Sequence, residues 1–354
     1  MSELVRLHPE YAEWIRSVGV NFKRCQLKAA TKVNEEMLRF YWQLGKEIIA
    51  LKKNSNLGNR FYEIVSNDLR KELPEVKSFS PTNLKYMQYF YELYSSPQLV
   101  DSTEYKSCPQ VVDSNEIIFK IPWGHHRYII DKCKHDREKA LFFVHKTIEN
   151  NWSRAVLLNF LDTNLYERQG KAISNFEKIL PDTQSDLAQE MTKDPYNFDF
   201  LTLRQNYDEK ELKDALMANV QNFLLELGKG FAFVGREYRL EVGETEQFLD
   251  MLFYNITNHC YVVIEIKTRA FEPGDMGQLG TYVAAVDGIL KKENDNQTIG
   301  LLICKTKDNV LAKYAVNAVN VPIGISEYDM SNLIPEDYKS SMPTIEEIEE
   351  ELKG

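Results

Sequence analysis

The chain has 354 residues, 27% charged and 43% hydrophobic, with a formal net charge of -10. That length suits two domains, each able to bury a sizeable core. The acidic balance argues against nucleic-acid binding by the surface as a whole, because phosphate contacts dominate such affinity, so a polyanionic partner would need a local basic surface.

The interval 20–51 carries apolar residues at helical spacing, and N-S-N-L-G-N after it reads as a loop. Residues 16–53 hold nine Lys or Arg, among them Lys28 and Lys32, against three Glu. That excess can face phosphate or can be one solvated helix face. Residues 61–73 form a second candidate helix. In S-F-S-P-T-N-L-K-Y, Ser80 fits a helix N-cap and Pro81 the first helical position. Thr82, Asn83 and Lys85 at the start of that helix suit a helix-turn-helix reader of DNA. The connection is long for such a turn, and plain packing with Tyr86, Tyr89, Phe90 and Tyr94 as core is the alternative. A polar loop follows over 95–116, and P-W-G-H-H opens another helix. His125 and His126 are adjacent, so on a helix they diverge and make a poor metal pair; they read as capping or packing residues. Trp152, Arg154, Arg168 and Lys171 belong to a stretch that can contact DNA or join the domains. Residues 181–200, rich in Asp, Pro, Gln, Asn and Ser, read as a linker.

Residues 208–228 carry Leu212, Leu216, Val220, Phe223, Leu224 and Leu227 at helical spacing, with Gly228 and Gly230 as stops. Glu226 sits in the last turn, where the helix dipole disfavours an acid. It is a candidate metal ligand or a solvated helix end. From Phe248 to Lys267 run two apolar strands whose only charges are Asp250, Glu265 and Lys267. A charge in such a run is costly unless it is paired or bound to a metal. If the hairpin reverses at Thr257 and Asn258, residue i faces residue 515 minus i, which sets Asp250 opposite Glu265. Lys267 then shares the face of Glu265. Two acids at this spacing suit Mg²⁺ or Mn²⁺; the amine beside them can orient or deprotonate water and offset phosphate charge. The triplet E-I-K by itself equally fits an ordinary ion pair. The helix expected over 275–290 places Gln278 and Tyr282 on one face, as phosphate or water holders or as a polar edge. A strand over 299–305, a helix over 309–319 and a strand over 321–328 complete a mixed sheet flanked by helices. The site is expected where that sheet splays open.

Five cysteines, Cys25, Cys108, Cys133, Cys260 and Cys304, lack zinc-like spacing and read as reduced, buried thiols. No run of about eighteen apolar residues and no signal core occur, which predicts a soluble, cytoplasmic protein with no membrane partner. Residues 344–352 form an acidic tail with five Glu. The chain shows no internal repeat, no Gly-rich phosphate loop and no Ser/His/Asp arrangement, and no organic cofactor is expected.

The order of a helix with Glu226, the strand R-E-Y-R-L-E-V, the hairpin with Asp250 and E-I-K, and a helix with Q-L-G-T-Y resembles the PD-(D/E)xK nuclease superfamily. The stretches P-W-G-H-H, I-E-N-N-W-S-R, N-L-Y-E-R-Q-G-K-A-I, D-P-Y-N-F-D-F-L and F-A-F-V-G-R-E-Y-R-L-E-V are similar to the bacterial YhcG-type nucleases, over nearly the whole chain. The resemblance implies an α+β protein. A mostly α-helical N-terminal domain (1–180) and a linker (181–206) precede an α/β restriction-endonuclease-like domain with a mixed central sheet (207–330); the acidic tail spans 331–354. It implies Mg²⁺-dependent cleavage of DNA, with Asp250, Glu265 and Glu226 as metal ligands, Lys267 as the lysine, and Gln278 and Tyr282 as the Gln-x-x-x-Tyr pair. Leu249 stands where the superfamily's Pro is expected. Alternatives are a catalytically inactive DNA-binding or assembly module, or an RNA-cleaving nuclease. Cutting both strands with one site per chain would favour a homodimer.

Overall fold

The computed structural model describes residues 9–54, 60–95 and 116–334, which belong to two compact units, Met1–Tyr166 and Glu167–Gly354. The loop after residue 54, most of the polar loop with Cys108, and the acidic tail beyond residue 334 lie outside the described residues.

The first unit is helical: α1 (Pro9–Asn54), α2 (Phe61–Glu72), α3 (Pro81–Ser95), α4 (Trp123–Cys133), α5 (Arg137–Asn150) and α6 (Arg154–Asp162). Helix α1 starts well before the apolar interval that predicted it. Packing begins late along it, with Leu38, Tyr41 and Ile48 buried, while Trp14, Val18, Phe22 and Val33 are exposed. Gly45 marks the crossing of α1 and α3: a Cβ there would lie 2.1 Å from the Met87 carbonyl oxygen. Ser80 caps α3 as expected, its hydroxyl accepting from the Asn83 amide at 3.2 Å. Phe90 and Tyr94 enter the core, and Tyr86 packs at its edge while its hydroxyl donates to Asp131 at 2.6 Å. Tyr89 does not, because the buried stripe runs through Leu84, Met87, Phe90 and Tyr94 and leaves it 44% exposed. His125 and His126 are both buried, with ring nitrogens on the Trp152 carbonyl (3.0 Å) and on Tyr94 Oη (3.2 Å) and the Ile118 carbonyl (2.6 Å) respectively. Burial drives His126 down to about 3, so it is neutral at physiological pH.

The second unit is built on a seven-stranded sheet in the order β1-β8-β7-β6-β5-β4, with β2 also on β8. Its strands are β1 (Ile173–Ser174), β2 (Tyr196–Asn197), β4 (Phe231–Val242), β5 (Thr245–Asn255), β6 (Cys260–Ala270), β7 (Ile299–Thr306) and β8 (Ile323–Asp329); β3 (Leu203–Arg204) and β9 (Leu333–Ile334) pair separately. The meander β4-β5-β6 is antiparallel, and β6-β7-β8 run parallel. Alternate residues enter separate cores: Met251, Phe253, Val262 and Ile264 one, Leu252 and Val263 the other. The longer helices of the unit are α7 (Asp182–Glu190), α8 (Glu209–Ala218), α9 (Val220–Leu227), α10 (Gly274–Ile289) and α11 (Asn309–Asn317).

Two expectations change. Residues 181–200 are folded rather than a linker: they supply α7 and β2, and Tyr196 and Phe198 are fully buried, Phe198 stacking on Tyr328 at 5.2 Å between centroids. Average composition hid those aromatic anchors. The single helix expected over 208–228 is two, broken at Asn219 (φ -114°, ψ 34°), whose side-chain amide turns back to the Ala215 carbonyl at 3.0 Å.

Candidate functional site

Asn255 builds the hairpin turn: its side-chain oxygen accepts from the amides of Thr257 (3.1 Å) and Asn258 (2.9 Å). The register follows, with Asn255 opposite Cys260 and Met251 opposite Ile264, each pair summing to 515. Strand pairing between β5 and β6 stops there, while β5 continues along β4 to Thr245 and β6 along β7 to Ala270. Asp250 and Glu265 are the next residues, at the point where the two strands part. In place of a ladder bond, Asp250 Oδ2 accepts the Ile266 amide at 3.1 Å.

Helix α8 closes the gap from outside the hairpin. A capping box fixes its first turn: Asp208 accepts from the Glu211 amide at 2.7 Å, and Glu211 from the Asp208 amide at 3.0 Å. Glu209 and Lys213, four residues apart, then share a face. Lys213 Nζ lies 2.5 Å from Asp250 Oδ1 and 2.9 Å from Glu209 Oε1; Lys267 Nζ lies 3.5 Å from Glu209 Oε1 and 2.9 Å from Glu265 Oε1. Charges therefore alternate along Asp250, Lys213, Glu209, Lys267 and Glu265. Asp250, Glu265 and Lys267 are buried, and the half-buried Glu209 marks the open side.

Helix α10 adds the remaining pair. It lies close on β7 because position 300 is glycine; a Cβ there would meet Val283 Cγ2 at 2.8 Å and Leu279 Cγ at 3.1 Å. The Gln278 amide donates to Glu265 Oε1 at 3.3 Å and to Tyr282 Oη at 2.9 Å. Glu265 Oε2 is buried with no hydrogen-bond partner.

The electrostatics follow from burial. Glu265 is pushed up to about 7, first by burial and then by the charge of Asp250, against the pull of Lys267. Burial alone would lower Lys267, but its hydrogen bond to Glu265 and the charges of Glu265, Glu209 and Asp250 raise it above the ordinary lysine value. Lys213 is likewise raised, burial being outweighed by Asp250 and Glu209.

The structure thus brings together Asp250, Glu265, Lys267, Gln278 and Tyr282, and adds Glu209 and Lys213, which sequence reasoning missed. It does not bring Glu226 to them. Glu226 is buried against Arg168, which contacts both of its oxygens, and also accepts the Asn197 amide at 3.0 Å. That pairing explains an acid in a helix's last turn without a metal. Among the described residues no three His, Cys, Asp or Glu side chains gather as a metal cage. Two adjacent acids with a free buried oxygen still fit a hard cation of the Mg²⁺ type, which commonly takes one or two carboxylates and completes its shell with water and phosphate.

In the first unit, Lys28, Lys32, Thr82 and Lys85 are exposed, with Lys85 Nζ over the Tyr62 ring at 5.4 Å. Asn83 is committed internally, its amide donating to the Ser78 carbonyl (2.6 Å) and its oxygen accepting from Trp123 Nε1 (2.8 Å).

Residues 189–343 match the family described as the YhcG PDDEXK nuclease domain, and residues 17–168 match the DUF1016 N-terminal domain. Together the two matches take in most of the chain. It is 25% identical over 320 residues, 84% of each chain, to YhcG of Escherichia coli (strain K12), itself a candidate nuclease. Among solved structures, a repair endonuclease from Pyrococcus abyssi is 18% identical over 37% of this chain and 50% of its own, at a TM-score of 0.25. EndoMS in a complex with dsDNA is 21% identical over 34% of this chain and 45% of its own, also at 0.25. The chain spans half or less of these structures. PDDEXK nucleases generally use divalent metal ions. Among the described residues no helix is long and apolar enough to cross a membrane.

Proposed function

We propose that this protein is a metal-dependent endonuclease that hydrolyses phosphodiester bonds in DNA, with Asp250 and Glu265 holding Mg²⁺ or Mn²⁺. The observation that carries this reading is the alternating cluster at the parting of β5 and β6, with an unmatched buried oxygen on Glu265. The Ile266 carbonyl is the further oxygen donor, and Glu209 holds Lys213 and Lys267 beside the acids. Bound there, the metal would polarise the phosphate and acidify a water. Lys267, held protonated by its acidic neighbours, orients that water and offsets phosphate charge rather than accepting a proton. Gln278 steadies the Glu265 carboxylate and, with the Tyr282 hydroxyl, offers donors to substrate phosphate.

In the helical unit, Lys28, Lys32, Thr82 and Lys85 are the exposed candidates for DNA contact. Between Glu13 and Glu35 the chain carries five basic residues and no acid. One site per chain favours a homodimer for double-strand cleavage. The free cysteines among the described residues suit a reducing, cytoplasmic setting, where repair, recombination or defence against foreign DNA would supply the substrate.

The test is a cleavage panel with the full chain, Mg²⁺ or Mn²⁺, and linear, nicked, branched and single-stranded DNA beside matched RNA. Lys267→Ala is expected to slow cleavage by at least ~100-fold while DNA binding persists. Cleavage surviving in both Lys267→Ala and Asp250→Ala overturns the assignment. RNA cut in preference to DNA reassigns the substrate, and DNA binding without any cleavage favours the inactive module.

A further inference from the structure

The acid cluster already contains a cation at the oxygen a metal needs. Asp250 Oδ2 already accepts the Ile266 amide, which makes Oδ1 the oxygen turned to other partners, and Lys213 Nζ sits 2.5 Å from it. This lysine does not correspond to the superfamily's lysine, which is Lys267. It comes from α8, and its side chain is only 14% exposed. A divalent cation at Asp250 would add two positive charges beside two ammonium groups that already face three carboxylates. Like charges a few ångströms apart in a poorly solvated site repel strongly, so one ammonium must withdraw.

Lys213 is the one placed to do so. Lys267 is held by Glu265 and also reaches Glu209. Lys213 has a second partner, Glu209, one helical turn away on its own helix at 2.9 Å and towards the open side. Leaving Asp250 would therefore cost it one ion pair and keep the other.

We propose that Lys213 is a displaceable counter-ion for Asp250, a positioning residue that neutralises the acid cluster in the metal-free protein and weakens its affinity for divalent cations. This rests on the reading that Asp250 and Glu265 hold the metal. Lys213 competes with that cation for Asp250 Oδ1, and so sets the cation concentration at which the site loads. A merely structural lysine would have no such effect, since its removal would leave metal affinity unchanged or lower it.

Titration calorimetry with Mn²⁺ on the full chain, without DNA, tests the idea. Lys213→Met is expected to bind Mn²⁺ about tenfold more tightly than the wild type, and Lys213→Arg, which restores the charge, to return within about threefold of it. Lys213→Gln keeps a hydrogen-bond donor on Asp250 without the charge, and should shift affinity in the same direction as Met should the Met variant fail to fold. Thermal melts add a second readout: the Met or Gln variant should melt below the wild type in EDTA and gain more from saturating Mn²⁺. Mn²⁺ affinity equal to or weaker than wild type in both neutral variants, with binding lost in Asp250→Asn, overturns the role of Lys213 and leaves the metal reading standing. Absence of Mn²⁺ binding in the wild type and every variant overturns both.

Discussion

Glu265 carries the most direct quantitative consequence of the fold. In the folded, metal-free protein its carboxyl is pushed up to about 7 by burial and by Asp250, from an ordinary value of 4.5. Between those pH values the folded chain keeps a proton that the unfolded chain has released. The associated stability is therefore fully present below about 4.5 and is lost as pH rises through about 7. The span is about 2.5 pH units at about 1.4 kcal/mol each, or roughly 3–4 kcal/mol as an upper figure. Glu265→Gln keeps the shape and stays neutral at every pH. In EDTA it should match the wild type near pH 4.5 and exceed it by up to about 3–4 kcal/mol at pH 8.5, on the order of 6–16 °C in melting temperature. Saturating Mn²⁺ should reverse that order. The choice of probe matters, because Trp14, Trp42, Trp123 and Trp152 all lie in the first unit. Tryptophan fluorescence would miss the transition, whereas calorimetry or hydrogen exchange of β5 and β6 peptides would follow it. A difference between the two proteins that is flat in pH, or a wild type that is the more stable at pH 8.5 in EDTA, refutes the reasoning.

Two further outcomes separate structural from functional charges. Glu226→Gln should destabilise the second unit by about 3–5 kcal/mol, because it strands the buried Arg168, while leaving Mn²⁺ affinity unchanged. Loss of Mn²⁺ binding in a folded Glu226→Gln protein would return that residue to the metal site. Lys28→Ala and Lys32→Ala should each lower the slope of log affinity for DNA against log salt by about one without changing which substrate is cut; an unchanged slope removes them from the DNA surface.

The parts of the site that were legible in the amino-acid sequence are those whose geometry is local. Asn255, Thr257 and Asn258 make the turn, the turn sets a register summing to 515, and the register brings Asp250 and Glu265 to the parting of the strands. Gln278 and Tyr282 were legible for the same reason, being one helical turn apart. Glu226 and Glu209 show where local reasoning stops. Glu226 drew notice as an acid at the wrong end of a helix, but the charge that answers it is Arg168, 58 positions earlier. Glu209 drew none, because an acid in a first turn is where the helix dipole favours one. Its partner Lys213 reads as the other half of an ordinary i,i+4 pair. One signal in that stretch was available: Asp208 and Glu211 spell a capping box, which starts α8 at Glu209 and puts Glu209 and Lys213 on one face from the first turn. What no local pattern contains is that this face meets Asp250, 37 positions later. An out-of-place charge identifies a site only once its long-range partner is known, and here the residue that looked misplaced is satisfied while the one that looked ordinary completes the cluster.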